Sequence, residues 1–119
     1  QVEFLGRRDD VSKIVKASDA FLFTSKQEGL ARSLMEAMAS GLPCVVSAIR
    51  GNTDLIDNEK GGFMYDVTDV DGFAEGIKRI CADSELRQKM GKYNVIKINE
   101  FDINASKSAF YSVFKQELI

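Results

Sequence analysis

Residues 20–47 read AFLFTSKQEGLARSLMEAMASGLPCVVS, and this stretch decides the fold. It opens on an unbroken apolar run at residues 20–23 and closes on a second β-prone run at residues 43–47. Such runs are typical of strands that are covered on both faces in a parallel sheet. Between them, residues 32–40 have helical character and are followed by Gly41, the residue type that most often terminates a helix. The stretch therefore predicts a strand, a helix and a second strand.

Upstream of this stretch the pattern predicts one further strand and one helix. The strand covers residues 2–5 and is followed by Gly6. Asp9 or Asp10 is predicted to cap the helix, because a carboxylate in that position can accept a hydrogen bond from a free backbone N–H. Three apolar residues at helical spacing form its inner face: Val11, Ile14 and Val15.

Downstream, a short helix at residues 52–57 and a strand at residues 63–65 are predicted first. A helix capped by Asp69 or Asp71 follows, and Ser84 begins another helix. The inward apolar residues of the capped helix are Phe73, Ile77, Ile80 and Cys81.

The last part of the chain is predicted to be helical as well. The helix that begins at Ser84 is predicted to end near Gly91. A final helix has one apolar face, formed by Phe110, Val113, Phe114 and Leu118. Strands that alternate with helices predict a single α/β domain over residues 1–119, with a parallel sheet and right-handed crossovers.

Composition excludes several classes of function. Lys and Arg number 16 against 18 Asp and Glu, so the formal charge of −2 gives no general attraction to nucleic acid or anionic lipid. The absence of histidine excludes Ser/His and Cys/His catalysis and His-ligated zinc for this chain acting alone. Cys44 and Cys81 lie in apolar stretches without metal-ligand spacing, so we predict two buried thiols in a reducing, cytoplasmic compartment.

In a parallel α/β sheet, ligands bind beyond the carboxyl ends of the strands. The predicted loops at that edge cover residues 6–9, 25–31, 48–52 and 66–69. In the second loop Gly29 precedes a helix start, whose free N–H groups near Leu30, Ala31 and Arg32 attract an anion. Gly29 fits a simple turn equally well, since a glycine between a strand and a helix is common in this class of fold.

Three charged residues surround this helix start. Arg32 lies in the first turn, where the helix dipole disfavours a cation by about 0.3–1 kcal/mol. Either a bound phosphate reverses this effect, or Arg32 pairs with Glu28 or Glu36 at the surface. Glu36 interrupts an apolar helix, so its carboxylate either faces solvent or accepts hydrogen bonds from sugar hydroxyls in a cleft. Glu28, just before the helix, could orient a sugar or stabilise developing positive charge.

Together these residues form a recognisable pattern. The segment EGLARSLMEAMASGLP at residues 28–43 closely resembles the signature of retaining glycosyltransferases of the GT-B fold, family 4 (group 1 type). Other segments resemble the flanking strands and turns of that family in the same order: residues 2–6, 17–25, 44–47, 50–56 and 61–65, followed by the helix beginning at Val70. The resemblance implies an α/β fold with a Rossmann-like parallel sheet and helices on both faces. It further implies that the chain is the C-terminal half of a GT-B glycosyltransferase, truncated at its N-terminal side.

The resemblance also implies roles for individual residues. In the family this domain binds a nucleotide-sugar donor, and a hexosyl group is transferred with retention at the anomeric carbon. Glu28 would lie against the donor sugar as the catalytic carboxylate, and Glu36 would accept hydrogen bonds from the ribose hydroxyls. The donor-binding residues implied are Gly6, Arg7, Gly29, Leu30, Ala31, Arg32 and Glu36. Leu30-Ala31 stands where the family often has Phe-Gly, and Arg32-Ser33 where an apolar pair is usual.

The resemblance implies no cofactor and no metal, since helix dipoles and basic side chains neutralise the departing diphosphate. The donor is expected to be a UDP- or GDP-linked sugar. The acceptor, a glycan or a lipid-linked sugar, is expected to bind a missing N-terminal domain, so the fragment alone is expected to be inactive. The Phe110/Phe114 face could then promote self-association.

The expected pathway is bacterial surface polysaccharide or glycolipid biosynthesis. We expect a cytoplasmic enzyme that can associate with the inner membrane face and has no nucleic-acid partner. Two alternatives stay open: another GT-B enzyme, such as a phosphorylase or a sugar-nucleotide epimerase, or a non-catalytic nucleotide-binding α/β module.

Overall fold

A computed structural model describes residues 2–6, 8–26 and 32–103 of the chain. Helices and strands alternate through most of these ranges, and the last two elements are both helices. In chain order the elements are α1 (Val11–Lys16), β1 (Phe21–Phe23), α2 (Arg32–Ala39), β2 (Cys44–Ser47), α3 (Arg50–Thr53), β3 (Gly62–Tyr65), α4 (Val70–Ala82) and α5 (Ser84–Ile103). The predicted strand–helix–strand unit around residues 20–47 is therefore confirmed.

The three strands form one parallel sheet in the order β1-β2-β3. In the register, Phe21 lies opposite Cys44, and Cys44 lies opposite Gly62. The central strand β2 is buried along its whole length. The prediction of a parallel α/β sheet is confirmed.

Helices cover both faces of the central strand. Cys44 and Val46 point to one face, and Val45 points to the other, as the two-residue period of a strand requires. The buried core of the first face also contains Leu34, Met35, Ala37, Met38, Leu42, Leu55, Ile56 and Ile98. The buried core of the second face also contains Phe63, Phe73, Ile80 and Met90. Helix α2 therefore packs on one face and α4 on the other, while α5 contributes to both.

Helix α2 ends where the sequence predicts. Gly41 has a φ of +79°, the left-handed conformation that glycine adopts without steric cost. Its N–H donates to the Met38 carbonyl at 3.0 Å, and the Leu42 N–H donates to the Ala37 carbonyl at 3.1 Å. These two bonds form a Schellman cap, which satisfies carbonyls that the helix end leaves free.

The predicted end of a helix near Gly91 is wrong, because α5 continues through Gly91 to Ile103. A Cβ atom at Gly91 would lie 2.1 Å from the Gly41 carbonyl oxygen. Gly91 therefore lets α5 approach the end of α2 closely. The glycine at this position serves a tertiary contact, and the local sequence does not reveal such a contact.

A buried asparagine ties α5 to the segments that lead into β2 and β3. The Nδ2 group of Asn94 donates to the Leu42 carbonyl at 2.8 Å and to the Gly61 carbonyl at 2.7 Å. The side chain is fully buried. Asn94 thus satisfies backbone acceptors of two different loops from a single position on α5.

Residues 2–5 do not form the predicted strand. Phe4 is 94% exposed, and within the described ranges this segment pairs with no other strand. An apolar run becomes a strand only when a neighbour satisfies its backbone groups. In β1, Leu22 is 52% exposed, so the prediction that this strand is covered on both faces is also wrong.

Two predicted caps have different outcomes. Asp69 caps α4 as predicted, accepting a hydrogen bond from the Gly72 N–H at 2.9 Å. Asp10 precedes α1, but its carboxylate makes no capping bond. It binds the Arg8 guanidinium instead, at 2.7 and 2.8 Å, and this contact lowers the pKa of Asp10. The nearby cation thus competes successfully with the helix N–H groups.

Three further predictions need correction. The short helix expected at residues 52–57 is found at Arg50–Thr53, because the chain turns immediately after β2. Val11 is 51% exposed rather than inward-facing. Cys81 is exposed, whereas Cys44 is buried as predicted and has a raised thiol pKa because of burial.

The predicted apolar face of the final helix lies outside the described residues. It consists of Phe110, Val113, Phe114 and Leu118.

Candidate functional site

The carboxyl ends of the three strands lie at one edge of the sheet. The strands are parallel and end at Phe23, Ser47 and Tyr65. Residues 24–26, 48–49 and 66–69 leave the sheet from these ends. Three of the loops predicted to hold a ligand therefore start from one edge.

Helix α2 carries two of the predicted donor-binding residues. Arg32 is half-buried at the first position of the helix, and Glu36 lies one turn later with its side chain exposed. Glu36 shares the outer face of α2 with the exposed Ser33 and Ala39. The buried residues of α2 are Leu34, Met35, Ala37 and Met38. The Glu36 carboxylate is thus open to solvent, and the structure leaves its predicted contact with a ribose untested.

Five of the predicted site residues lie outside the described residues: Arg7, Glu28, Gly29, Leu30 and Ala31. Their assignments stay predictions. Gly6 is described and exposed, with a φ of +71°. Apart from its chain neighbours, no atom of the described residues lies within 4 Å of the position that a Cβ at Gly6 would occupy.

A buried hydrogen-bond network at this edge was missed by the sequence analysis. The Ser47 hydroxyl donates to the Ser25 carbonyl at 2.5 Å. The Asn52 Nδ2 group donates to the Ser47 carbonyl at 2.9 Å and to the Ser47 Oγ at 3.3 Å. Ser47 and Asn52 are both fully buried. The available signal was a polar residue at the end of an apolar strand, followed by an asparagine in a loop already predicted to lie at the binding edge.

The loop after β3 is held by its own side chains. The Asp66 carboxylate accepts hydrogen bonds from the Thr68 N–H at 3.0 Å and from the Thr68 hydroxyl at 2.7 Å. These bonds lower the pKa of Asp66, so it is ionised at neutral pH. Asp69 then caps α4, so side-chain hydrogen bonds hold the loop of residues 66–69 between β3 and α4.

A cavity of about 310 Å³ lies at the opposite, amino-terminal edge of the sheet. It includes Lys16, Ser18, Asp19 and Arg87 in its lining. Arg87 donates to the carbonyls of Ile80 and Cys81, both at 2.9 Å, and so closes the end of α4. The cavity therefore contains a structural arginine and lies away from the predicted binding edge.

The described part of the chain contains no group of three or more acidic or cysteine side chains that could hold a metal ion. No helix in residues 2–6, 8–26 and 32–103 is long and apolar enough to cross a membrane.

Sequence comparison finds relatives among enzymes that transfer sugars. A galactosyltransferase of Escherichia coli, named UDP-Gal:alpha-D-GlcNAc-diphosphoundecaprenol alpha-1,3-galactosyltransferase, is 43% identical over 82 residues. That match covers 69% of this chain and 21% of the relative. The N-acetyl-alpha-D-glucosaminyl L-malate synthase of Bacillus anthracis is 34% identical over 92 residues, covering 77% of this chain and 24% of the relative. The chain thus spans less than a quarter of the length of these two relatives.

Structural comparison agrees on the fold. Sucrose-phosphate synthase from Thermosynechococcus elongatus superimposes with a TM-score of 0.80 at 23% identity, covering 98% of this chain and 30% of that protein. TarM gives a TM-score of 0.77 at 22% identity, covering 91% of this chain and 22% of TarM. Both are GT-B glycosyltransferases, so the predicted fold class is confirmed.

A family model covers most of the chain. Residues 1–95 match the model of the glycosyl transferases group 1. The matched range contains all three strands, the start of α2 and every predicted site residue. The chain therefore belongs to the group 1 glycosyl transferases.

Proposed function

We propose that this chain is the donor-binding part of a retaining glycosyltransferase that transfers a hexosyl group from a UDP- or GDP-linked sugar to an acceptor. The proposed pathway is bacterial surface polysaccharide or glycolipid biosynthesis. The acceptor is a glycan or a lipid-linked sugar, bound by a part of the enzyme outside these 119 residues. The enzyme works in the cytoplasm and meets lipid-linked acceptors at the inner membrane face. The 119 residues alone are expected to show no turnover.

One structural observation carries this proposal. Helix α2 begins at the carboxyl edge of the parallel sheet with Arg32, and it presents the Glu36 carboxylate to solvent one turn later. A cation and the free N–H groups of a helix start favour a diphosphate, and an exposed carboxylate favours hydroxyl donors. A nucleotide sugar offers both groups at a spacing of a few ångströms. The arrangement therefore matches a nucleotide-sugar donor better than a simple anion.

Glu28 is proposed as the catalytic carboxylate. Sugar transfer passes through a state in which the anomeric carbon gains positive charge, and a nearby carboxylate stabilises that charge. Glu28 lies four residues before Arg32 in the sequence, and we propose that it acts at the same edge of the sheet. The departing diphosphate is neutralised by the helix start and Arg32, and we propose that no metal ion is required.

The Escherichia coli relative suggests the first donor to test, because its printed name contains UDP-Gal. The intact protein should be screened by thermal shift against UDP- and GDP-sugars, since a ligand that binds only the folded state raises the Tm. Donors that raise the Tm should then be tested for transfer of a radiolabelled sugar to a lipid-linked acceptor. If no nucleotide sugar raises the Tm of the intact protein, the proposed function is wrong.

Replacing Glu36 by glutamine should weaken donor binding by the intact protein. The loss of charged hydrogen bonds to the ribose should cost about 1–3 kcal/mol, or roughly 5- to 150-fold in Kd. Isothermal titration with the nucleoside diphosphate measures this change without requiring turnover.

The matched control is Glu85→Gln, since Glu85 is also an exposed helical glutamate but lies in the first turn of α5. The control should bind the nucleotide as the unmodified protein does. Equal Kd values for Glu36→Gln and the unmodified protein would rule out a contact between Glu36 and the ribose.

A further inference from the structure

A side chain of β2 helps to hold the chain where it leaves the sheet after β1. The ladder between β1 and β2 ends at the pair Phe23 and Val46. Two residues farther along, the Ser25 carbonyl accepts a hydrogen bond from the Ser47 hydroxyl at 2.5 Å. Ser47 therefore extends the attachment of this segment beyond the last backbone pair.

Asn52 fixes the direction of the Ser47 hydroxyl. The Nδ2 group of Asn52 donates to both the carbonyl and the Oγ of Ser47. Because the Ser47 Oγ accepts from Asn52, its own proton is directed to the Ser25 carbonyl. A flipped amide would place Oδ1 against the Ser47 carbonyl, where two acceptors repel each other. The network thus has one direction, from Asn52 through Ser47 to Ser25.

The network leaves a buried acceptor unsatisfied. Ser47 and Asn52 are fully buried, and the Asn52 Oδ1 has no partner among the described residues. The Asn94 Oδ1 also has no partner there, but Asn94 bonds the chain at the amino ends of β2 and β3, away from the predicted binding edge. Apolar side chains could fill such positions without leaving an acceptor unsatisfied. Buried polar groups that break this rule are concentrated at functional sites.

We propose that Ser47 and Asn52 are positioning residues for the donor site, acting through the Ser25 carbonyl. This inference rests on the proposed function. Ser25 lies two residues after the end of β1 and three residues before Glu28 in the sequence, so in this proposal its carbonyl fixes the start of the segment that leads to Glu28. Neither Ser47 nor Asn52 touches the donor in this proposal. Each acts by fixing the geometry at the carboxyl end of the strand.

The test uses the intact enzyme with the donor that supports transfer. Ser47→Ala removes the hydroxyl, and kcat per folded molecule should fall about 10- to 100-fold, the scale of a small misplacement of reacting groups. Ser47→Thr retains the hydroxyl and should restore most of the kcat. The matched control is Thr53→Ala on α3, which removes an exposed hydroxyl that bonds only locally, to the Arg50 carbonyl at 3.1 Å. This control should leave kcat unchanged.

A double-mutant cycle separates positioning from simple stability. If Asn52 acts through Ser47, the kcat of Ser47→Ala/Asn52→Ala should equal that of the more damaging single variant. Independent, multiplying losses would overturn the inference, and so would a lowered Tm with kcat per folded molecule unchanged. If the unmodified intact enzyme transfers no sugar from any UDP- or GDP-linked donor, the proposed function fails and this inference fails with it. If it transfers sugar and Ser47→Ala is fully active, only the inference fails.

Discussion

Replacing Gly62 by alanine is expected to unfold the chain. A Cβ atom at Gly62 would lie 1.7 Å from the Cys44 carbonyl oxygen and 2.6 Å from the carbonyl carbon. Both atoms belong to the backbone of the central strand, so no side-chain rotation can relieve the contact. The two strands would have to separate at the start of their ladder, where Cys44 lies opposite Gly62. We expect a loss of more than about 4 kcal/mol, a large part of the roughly 5–15 kcal/mol that stabilises an ordinary domain.

Urea denaturation followed by circular dichroism measures this loss. The matched control is Gly76→Ala in α4, where the added Cβ would meet only the ring end of the Tyr65 side chain, at 3.0 Å. Alanine also favours the helix over glycine by about 1 kcal/mol. The control should therefore stay within about 1 kcal/mol of the unmodified chain. A cooperative transition of unchanged midpoint for Gly62→Ala would contradict the strand spacing described above.

Replacing Asn94 by alanine should cost about 3 kcal/mol of folding free energy. The change removes two hydrogen bonds, to the carbonyls of Leu42 and Gly61, each of which contributes about 1 kcal/mol. It also leaves a small cavity and removes a hydrogen-bond donor from buried carbonyl oxygens. Both effects add to the loss of folding free energy. The Gly61 carbonyl keeps one bond, from the Cys44 N–H at 3.1 Å, and this limits the effect.

Asn99→Ala is the matched control for this change, because Asn99 is exposed on the same helix. It should leave the urea midpoint unchanged or raise it slightly, since alanine is the better helix former. Similar midpoints for the two variants would show that Asn94 does not hold α5 against the sheet.

Sequence reasoning succeeded where the cause of a structure is local. The Schellman cap at Gly41 depends on a few consecutive residues, so its signal is visible in the chain itself. The same argument failed at Gly91, whose small size serves a contact with the Gly41 carbonyl fifty residues away. The prediction of a strand at residues 2–5 failed for a related reason, because a strand pattern does not reveal whether a neighbouring strand is present.

At the candidate site, too, sequence reasoning found the feature with a local cause and missed the one with a tertiary cause. The sequence pattern predicted that Arg32 begins a helix at the carboxyl edge, and the structure confirms this position. The bond between Ser47 and Ser25 joins residues 22 positions apart and has no periodic signal. Side-chain positioning of this kind follows from how β1 and β2 lie side by side, so it can be found only after the sheet is assembled.

Because the two cysteines lie in different environments, their alkylation can report transient exposure of the central strand β2. A thiol must ionise and be reached by a reagent before it can be alkylated. Cys81 is exposed, whereas Cys44 is enclosed in the central strand with a raised pKa. Iodoacetamide should therefore modify one thiol quickly in the native chain and both thiols in urea. The rate at which mass spectrometry detects the second adduct then measures how often β2 is released.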